Sequence, residues 1–90
     1  MLHEVIAPKT GMYDGPVTVV SWLVPEGTMV TKGDVLFEIE TEKVSSEVPA
    51  EDDGMLRITV PAGETVAIGS VIGLLAETQS EYEQLLGDTR

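Results

Sequence analysis

The sequence predicts an all-β fold: a flattened β-barrel or sandwich (a barrel-sandwich hybrid) of two four-stranded antiparallel sheets with pseudo-two-fold symmetry. Three observations predict it. First, residues 4–76 read as short apolar segments punctuated by Gly, Pro and Asp, with no sustained helical period. Second, 90 residues leave room for one small core. Third, the chain repeats itself. Val24-Pro25-Glu26-Gly27-Thr28-Met29-Val30-Thr31-Lys32-Gly33-Asp34-Val35 returns 36 residues later as Val60-Pro61-Ala62-Gly63-Glu64-Thr65-Val66-Ala67-Ile68-Gly69-Ser70-Val71, with six of twelve positions identical. The shared residues are Val, Pro, Gly, Val, Gly and Val. Pro fixes φ entering a turn, and Gly admits positive φ within it. Two copies are too few for a solenoid, so two equivalent β halves folded on one another are the natural solution.

Each element follows in order. Residues 17–24 are rich in Val and carry the one Trp, which suits a strand. In residues 35–40, Val35, Phe37 and Ile39 alternate with Leu36, Glu38 and Glu40, a period of two with one strongly apolar face. Residues 44–48 form a second strand after a tight turn. Leu56, Ile58 and Val60 alternate with Arg57 and Thr59 in the same way. Val71, Ile72, Leu74 and Leu75 make a near-continuous apolar run, as in a strand buried on both faces or close to the core. The symmetry adds a prediction. In the first half, strand 35–40 runs into Thr41-Glu42-Lys43-Val44; in the second, the equivalent 71–76 runs out of the domain. The chain ends then lie near one pole and the Glu42-Lys43 turn near the other, so Lys43 points away from the rest of any larger protein. The domain is assigned to residues 1–77. Residues 78–90 are polar and acidic and read as the start of a linker or tail, with a helical turn at 81–86.

Composition excludes several functions. The formal net charge of −11 opposes binding to nucleic acid or to an anionic membrane surface. It is compatible with a basic protein partner and equally with a solvated acidic surface. There is no cysteine, and the single histidine is His3, so no thiol nucleophile and no His-based metal cluster or triad can be assembled. No nucleophile–base pair is present, which argues against an enzyme in its own right. No apolar run is long enough to span a bilayer, and Met-Leu-His-Glu is not the start of a signal peptide. The expected setting is a reducing interior.

The informative segment is Phe37-Glu38-Ile39-Glu40-Thr41-Glu42-Lys43-Val44-Ser45-Ser46-Glu47-Val48-Pro49-Ala50. It places a lysine at a tight turn between two strands. The turn lacks Asn-Gly or Asp-Gly, so something other than turn propensity must fix Glu-Lys there. An amine at such a tip is open to a modifying enzyme, and acylation would remove its charge and add a group through an amide. Against this, Lys43 could be one solvated charge among many acids.

Glu40-Thr41-Glu42-Lys43-Val44, then Glu47-Val48, then Gly54 eleven residues after the lysine, resembles the lipoyl-attachment motif of the dihydrolipoamide acyltransferase (E2) component of 2-oxo acid dehydrogenase complexes. Pro8-Lys9-Thr10-Gly11-Met12, Trp22-Leu23-Val24, Glu26-Gly27 and Lys32-Gly33-Asp34-Val35-Leu36 also resemble that family's framework, over residues 4–77. The resemblance implies lipoate joined covalently to Lys43 as a swinging arm. Glu42 and Val44 frame the turn and guide a lipoate ligase or lipoyl transferase, and Gly11 and Met12 sit beside the arm. It implies shuttling of acyl groups and reducing equivalents among the decarboxylase (E1), the acyltransferase core and dihydrolipoyl dehydrogenase (E3), for a 2-oxo acid or acetoin. The isolated domain is then a non-catalytic monomer, in a bacterial cytoplasm or a mitochondrial matrix. Gly27, Gly33 and Gly54 are assigned to turns and Trp22 to the core. Two departures stand out: Glu42 replaces the usual Asp, and Val17 stands where relatives carry Gly, which bears on the loop beside the arm. The rivals are a biotinyl carrier, whose ligase looks for Met on both sides of the lysine, a lipoylated glycine-cleavage carrier, and an unmodified interaction module.

Overall fold

The computed structural model describes residues 2–9, 15–42 and 44–87. Among them the order is β1 (Leu2–Ile6), β2 (Val17–Trp22), β3 (Met29–Val30), β4 (Val35–Glu40), β5 (Ser45–Pro49), β6 (Gly54–Ile58), β7 (Thr65–Val66), β8 (Val71–Ala76) and α1 (Gln79–Gly87). The strands form two four-stranded sheets, ordered β1-β8-β6-β3 and β5-β4-β2-β7, antiparallel at every pairing. Advancing each label by four, cyclically, converts one order into the other. This is the expected two-fold relation.

The repeated sequence makes the repeated geometry. Gly27, Gly33, Gly63 and Gly69 all have positive φ, from 84° to 100°. They are the two repeated glycines of each half, in a region where a Cβ is strained. Their amides make matching bonds. Gly27 N–H donates to Leu56 O and Gly63 N–H to Val19 O, both at 2.7 Å. Gly33 N–H donates to Ala50 O at 2.9 Å and Gly69 N–H to Ala7 O at 2.8 Å. Each loop thus stitches its own half to the other.

Between the sheets lies one core built from Val17, Val19, Val30, Leu36, Phe37, Ile39, Leu56, Ile72 and Leu75, with Ala7 and Ala50 at the crossings. Trp22 packs on this core as expected: its ring lies 5.0 Å from that of Phe37, and Nε1–H donates to Val60 O at 2.9 Å. The strict alternation read for 35–40 breaks at its start. Val35 is exposed, whereas Leu36 and Phe37 are both buried. The β4–β5 register shifts between Val35 and Phe37, so one residue of bulge turns two successive side chains inward. In β8, Val71 is exposed and Leu74 half-buried, while Ile72 and Leu75 point inward. The continuous apolar run is therefore not buried throughout.

Gly54 is not a turn residue. It opens β6, and a Cβ there would lie 2.9 Å from Ala76 O and 2.9 Å from Leu75 Cβ. It is Gly because two strands approach too closely for any side chain.

Residues 79–87 form a longer helix than the single turn expected at 81–86, and the helix packs against β6 and β8. A capping box starts it: Glu81 N–H donates to Thr78 Oγ1 at 3.2 Å, and Thr78 N–H donates to Glu81 Oε1 at 3.3 Å. Tyr82 then reaches back, donating its hydroxyl to Glu26 Oε2 at 2.7 Å. The other oxygen of Glu26 accepts the Ile58 amide at 2.6 Å, and Arg57 lies 3.7 Å from the same carboxylate. A nine-residue helix with no fully buried residue is marginal alone, so this docking sustains it. Donation to Glu26, with smaller help from burial, raises the Tyr82 pKa above its usual value. A raised pKa means that the bond's contribution is intact below the ordinary tyrosine range and lost as pH rises through the folded value. Tyr82→Phe should therefore raise the hydrogen-exchange rates of the 79–87 amides roughly tenfold, the equivalent of about 1 kcal/mol, leaving the strands protected. Wild type should show the same loosening only in strong alkali. Unchanged exchange in Tyr82→Phe would remove this bond from the docking account.

Candidate functional site: the β4–β5 hairpin

The hairpin that joins β4 to β5 is built around Thr41. The strands pair through Glu40 and Ser45, and the chain reverses over the next four residues. Thr41 N–H donates to Val44 O at 2.8 Å. In return Val44 N–H donates to Thr41 Oγ1 at 3.2 Å, and that hydroxyl lies 3.3 Å from Val44 O. A threonine side chain thus takes part where backbone groups usually close a hairpin alone. This supplies the turn specificity that the absence of Asn-Gly leaves open. Thr41 is only 8% exposed, a buried polar residue among apolar ones.

Glu42 and Val44 are both exposed, Val44 at 51%, on either side of position 43. Lys43 itself lies outside the described residues, as do Gly11 and Met12. Of the site residues named from sequence, the structure thus places Glu42 and Val44 together at the hairpin. Val17, at the position noted for departing from Gly, is fully buried and pairs with Val66 on the β7 side of β2. Its methyls fill the core at the foot of the loop.

The sheet below the turn is acidic. Glu38 and Glu47 are direct cross-strand partners, and Glu40 lies two pairs nearer the tip. Like charges placed opposite destabilise a sheet, the less so in the solvent they share here. Next to Glu40, Thr18 pairs across to Thr65, their hydroxyls 2.9 Å apart.

Among the described residues no group of three His, Asp or Glu could hold a metal ion. A groove lined by His3, Met29, Lys32, Asp52, Asp53, Gly54 and Glu77 lies at one end of the β1-β8-β6-β3 sheet, not at the hairpin. There His3 Nε2 is 2.7 Å from Glu77 Oε2 and Nδ1 is 3.5 Å from Asp52 Oδ2, tying the first strand to the exit of the last. The Leu2–Ala76 pair there is the symmetry counterpart of Ser45–Glu40. The hairpin and the chain ends therefore occupy equivalent places in the two halves. What the arrangement can do chemically is display: a rigid sheet ends in a braced, solvent-open turn. Sequence reasoning named the turn but gave Thr41 no part in it. The available signal was a β-branched hydroxyl residue two before the lysine in a turn without glycine.

The family model described as biotin-requiring enzyme, which covers biotinyl and lipoyl domains, matches residues 3–75. A dihydrolipoyllysine-residue acetyltransferase component of the pyruvate dehydrogenase complex from Zymomonas mobilis is 43% identical over 70 residues, covering 76% of this chain and 16% of that protein. A chloroplastic component of the same complex from Arabidopsis thaliana is 36% identical over 84 residues, covering 92% of this chain and 18% of that one. The chain thus spans under a fifth of the length of these curated relatives. The solution structure of the lipoyl domain of the 2-oxoglutarate dehydrogenase complex from Azotobacter vinelandii superposes with a TM-score of 0.67 at 35% identity. That match covers 82% of this chain and 95% of that one. A likeness running nearly the whole length of a solved lipoyl domain, with the family model matched over both β halves, establishes that this chain belongs to the biotin/lipoyl family and, within it, to the lipoyl domains.

Proposed function

We propose that this domain is the lipoyl carrier of a dihydrolipoamide acyltransferase, with Lys43 as the residue that carries lipoate. The observation that carries the reading is the braced hairpin. Its neighbours Glu42 and Val44 stand in solvent, so a group joined between them by an amide meets no wall. When attached, lipoate supplies a dithiolane that can take up an acyl group as a thioester and electrons as a dithiol. The chain's own residues do other work. Thr41 holds the turn, Glu42 and Val44 flank the amine for a lipoate ligase or lipoyl transferase, and Gly11 and Met12 belong to the loop beside the arm. No residue of the domain acts on the acyl group, so the domain is a carrier and not itself a catalyst. Its partners are the decarboxylase, the acyltransferase core and dihydrolipoyl dehydrogenase of a 2-oxo acid or acetoin dehydrogenase complex. It works as a monomer in a reducing interior, a bacterial cytoplasm in our reading. The carrier domain spans residues 1–77, the helix of residues 79–87 docks back onto it, and the tether to the rest of the acyltransferase follows that helix. Tethering makes each encounter intramolecular, with an effective concentration set by linker length.

Because the family also contains biotinyl domains, the test offers both groups. The chain is incubated with lipoate and a lipoate ligase, and separately with biotin and a biotin ligase, and its intact mass is read. A single lipoyl addition and no biotinyl addition is expected, since Glu42 and Val44 stand where a biotin ligase looks for Met. Biotinylation without lipoylation would transfer the domain to carboxyl carriage.

A further inference from the structure

We infer that the Thr41 hydroxyl is the positioning group that makes the hairpin a substrate for lipoylation. The inference rests on the carrier reading above and assigns it a determinant that the named site residues do not include. A ligase must take hold of a backbone turn and bring one amine to an activated acyl group, so the turn must already be in one conformation when it binds. Nothing in the turn's composition imposes that. The tip residues are Glu and Lys, with no glycine for positive φ and no Asn or Asp for a local side-chain turn.

The structure shows what does. Thr41 is 8% exposed, and its hydroxyl accepts the Val44 amide at 3.2 Å while standing 3.3 Å from the Val44 carbonyl. Its own amide meets that same carbonyl at 2.8 Å. Three contacts from one residue therefore clamp the far leg of the loop on both its backbone groups. Only one of the three is available to a residue without a hydroxyl. Val would keep the β-branched shape, the burial and the amide bond, yet leave the Val44 N–H without this acceptor. Ser would keep the hydroxyl and drop only a methyl. Thr41 is a positioning residue and not a partner in the amide chemistry. It acts through the geometry of the turn.

The isosteric pair gives the test. Initial rates of lipoylation by a lipoate ligase are measured for wild type, Thr41→Val and Thr41→Ser, each checked by circular dichroism and thermal unfolding. For Thr41→Val a fall in kcat/KM on the order of tenfold is expected, the equivalent of one hydrogen bond, with melting shifted by only a few degrees. Thr41→Ser should stay near the wild-type rate, because the hydroxyl and not the shape is required. If Thr41→Val is modified as fast as wild type, or if Thr41→Ser falls with it, the positioning role is wrong while the carrier reading stands. If wild type is not modified beside a control lipoyl domain that is, the carrier reading fails and takes this inference with it.

Discussion

Lys43→Gln abolishes reductive acylation of the domain. The expected signal is loss of all radiolabelled acyl group transferred from a labelled 2-oxo acid by the decarboxylase, against about one acyl group per wild-type chain. Lipoate is joined through an amide, and a glutamine side chain has no nucleophilic amine to form it. Thr41, Glu42 and Val44 are untouched, so the hairpin persists and melting stays within a degree or two of wild type. The chain holds its own controls, because Lys9 and Lys32 are exposed amines on the same molecule. Lys32 sits in the loop that enters β4, at the other end of that strand from the hairpin, and its amide donates to Asp53 Oδ1 at 2.7 Å. If mere exposure sufficed, these lysines would be modified too, and Lys43→Gln would retain label. Free lipoamide should rescue poorly at micromolar concentration, since a tethered arm works at an effective concentration in the millimolar range.

Gly54→Val destabilises the fold by about 3 kcal/mol, at the upper end of what overpacking causes. The first atom of any side chain at this position meets Ala76 O at 2.9 Å, Leu75 Cβ at 2.9 Å and Ala76 N at 3.2 Å. Two of these are backbone atoms of β8 and cannot swing aside as a flexible side chain would. The strands must separate, and Leu56 and Leu75, paired across this same ladder and both buried, lose packing as they do. For a domain of this size the melting temperature should fall by roughly 12 °C or more. Calorimetry reads the result. Gly33→Val is the comparison: its Cβ would meet nothing within 4 Å, so the strain there is that of positive φ alone. A loss at Gly54 no larger than at Gly33 would show that close approach of the strands is not what requires glycine.

Much of this was legible in the sequence, for identifiable reasons. The 36-residue repeat carried the symmetry because its repeated members include the glycines that take positive φ and the valines, Val35 and Val71, that open β4 and β8. The bounds of β4 and β8 fell where read, at 35–40 and 71–76. The bulge after Val35 was not legible, because alternation says which faces exist and not where the partner strand slips by one residue. The role of Gly54 was misread as a turn because its constraint comes from β8, which sequence spacing cannot bring near. The helical turn at 81–86 was read, but its extension to 79–87 and its docking escaped for the same reason. Residues 79–87 have few apolar side chains, and the bond that holds them joins Tyr82 to Glu26 across 56 residues. At the hairpin, Glu42 and Val44 stand exposed where the motif put them, while Lys43 lies outside the described residues. The bracing by Thr41 was not, since one side chain bonding the backbone three residues on leaves only a faint mark on composition.

The most direct test of the central claim is peptide mapping by tandem mass spectrometry after expression with lipoate and a lipoate ligase. The account predicts one lipoyl amide, on the peptide bearing Lys43 and on neither the Lys9 nor the Lys32 peptide. An unmodified Lys43 beside a control lipoyl domain that is fully modified, or a lipoyl group found on either other lysine, would contradict it.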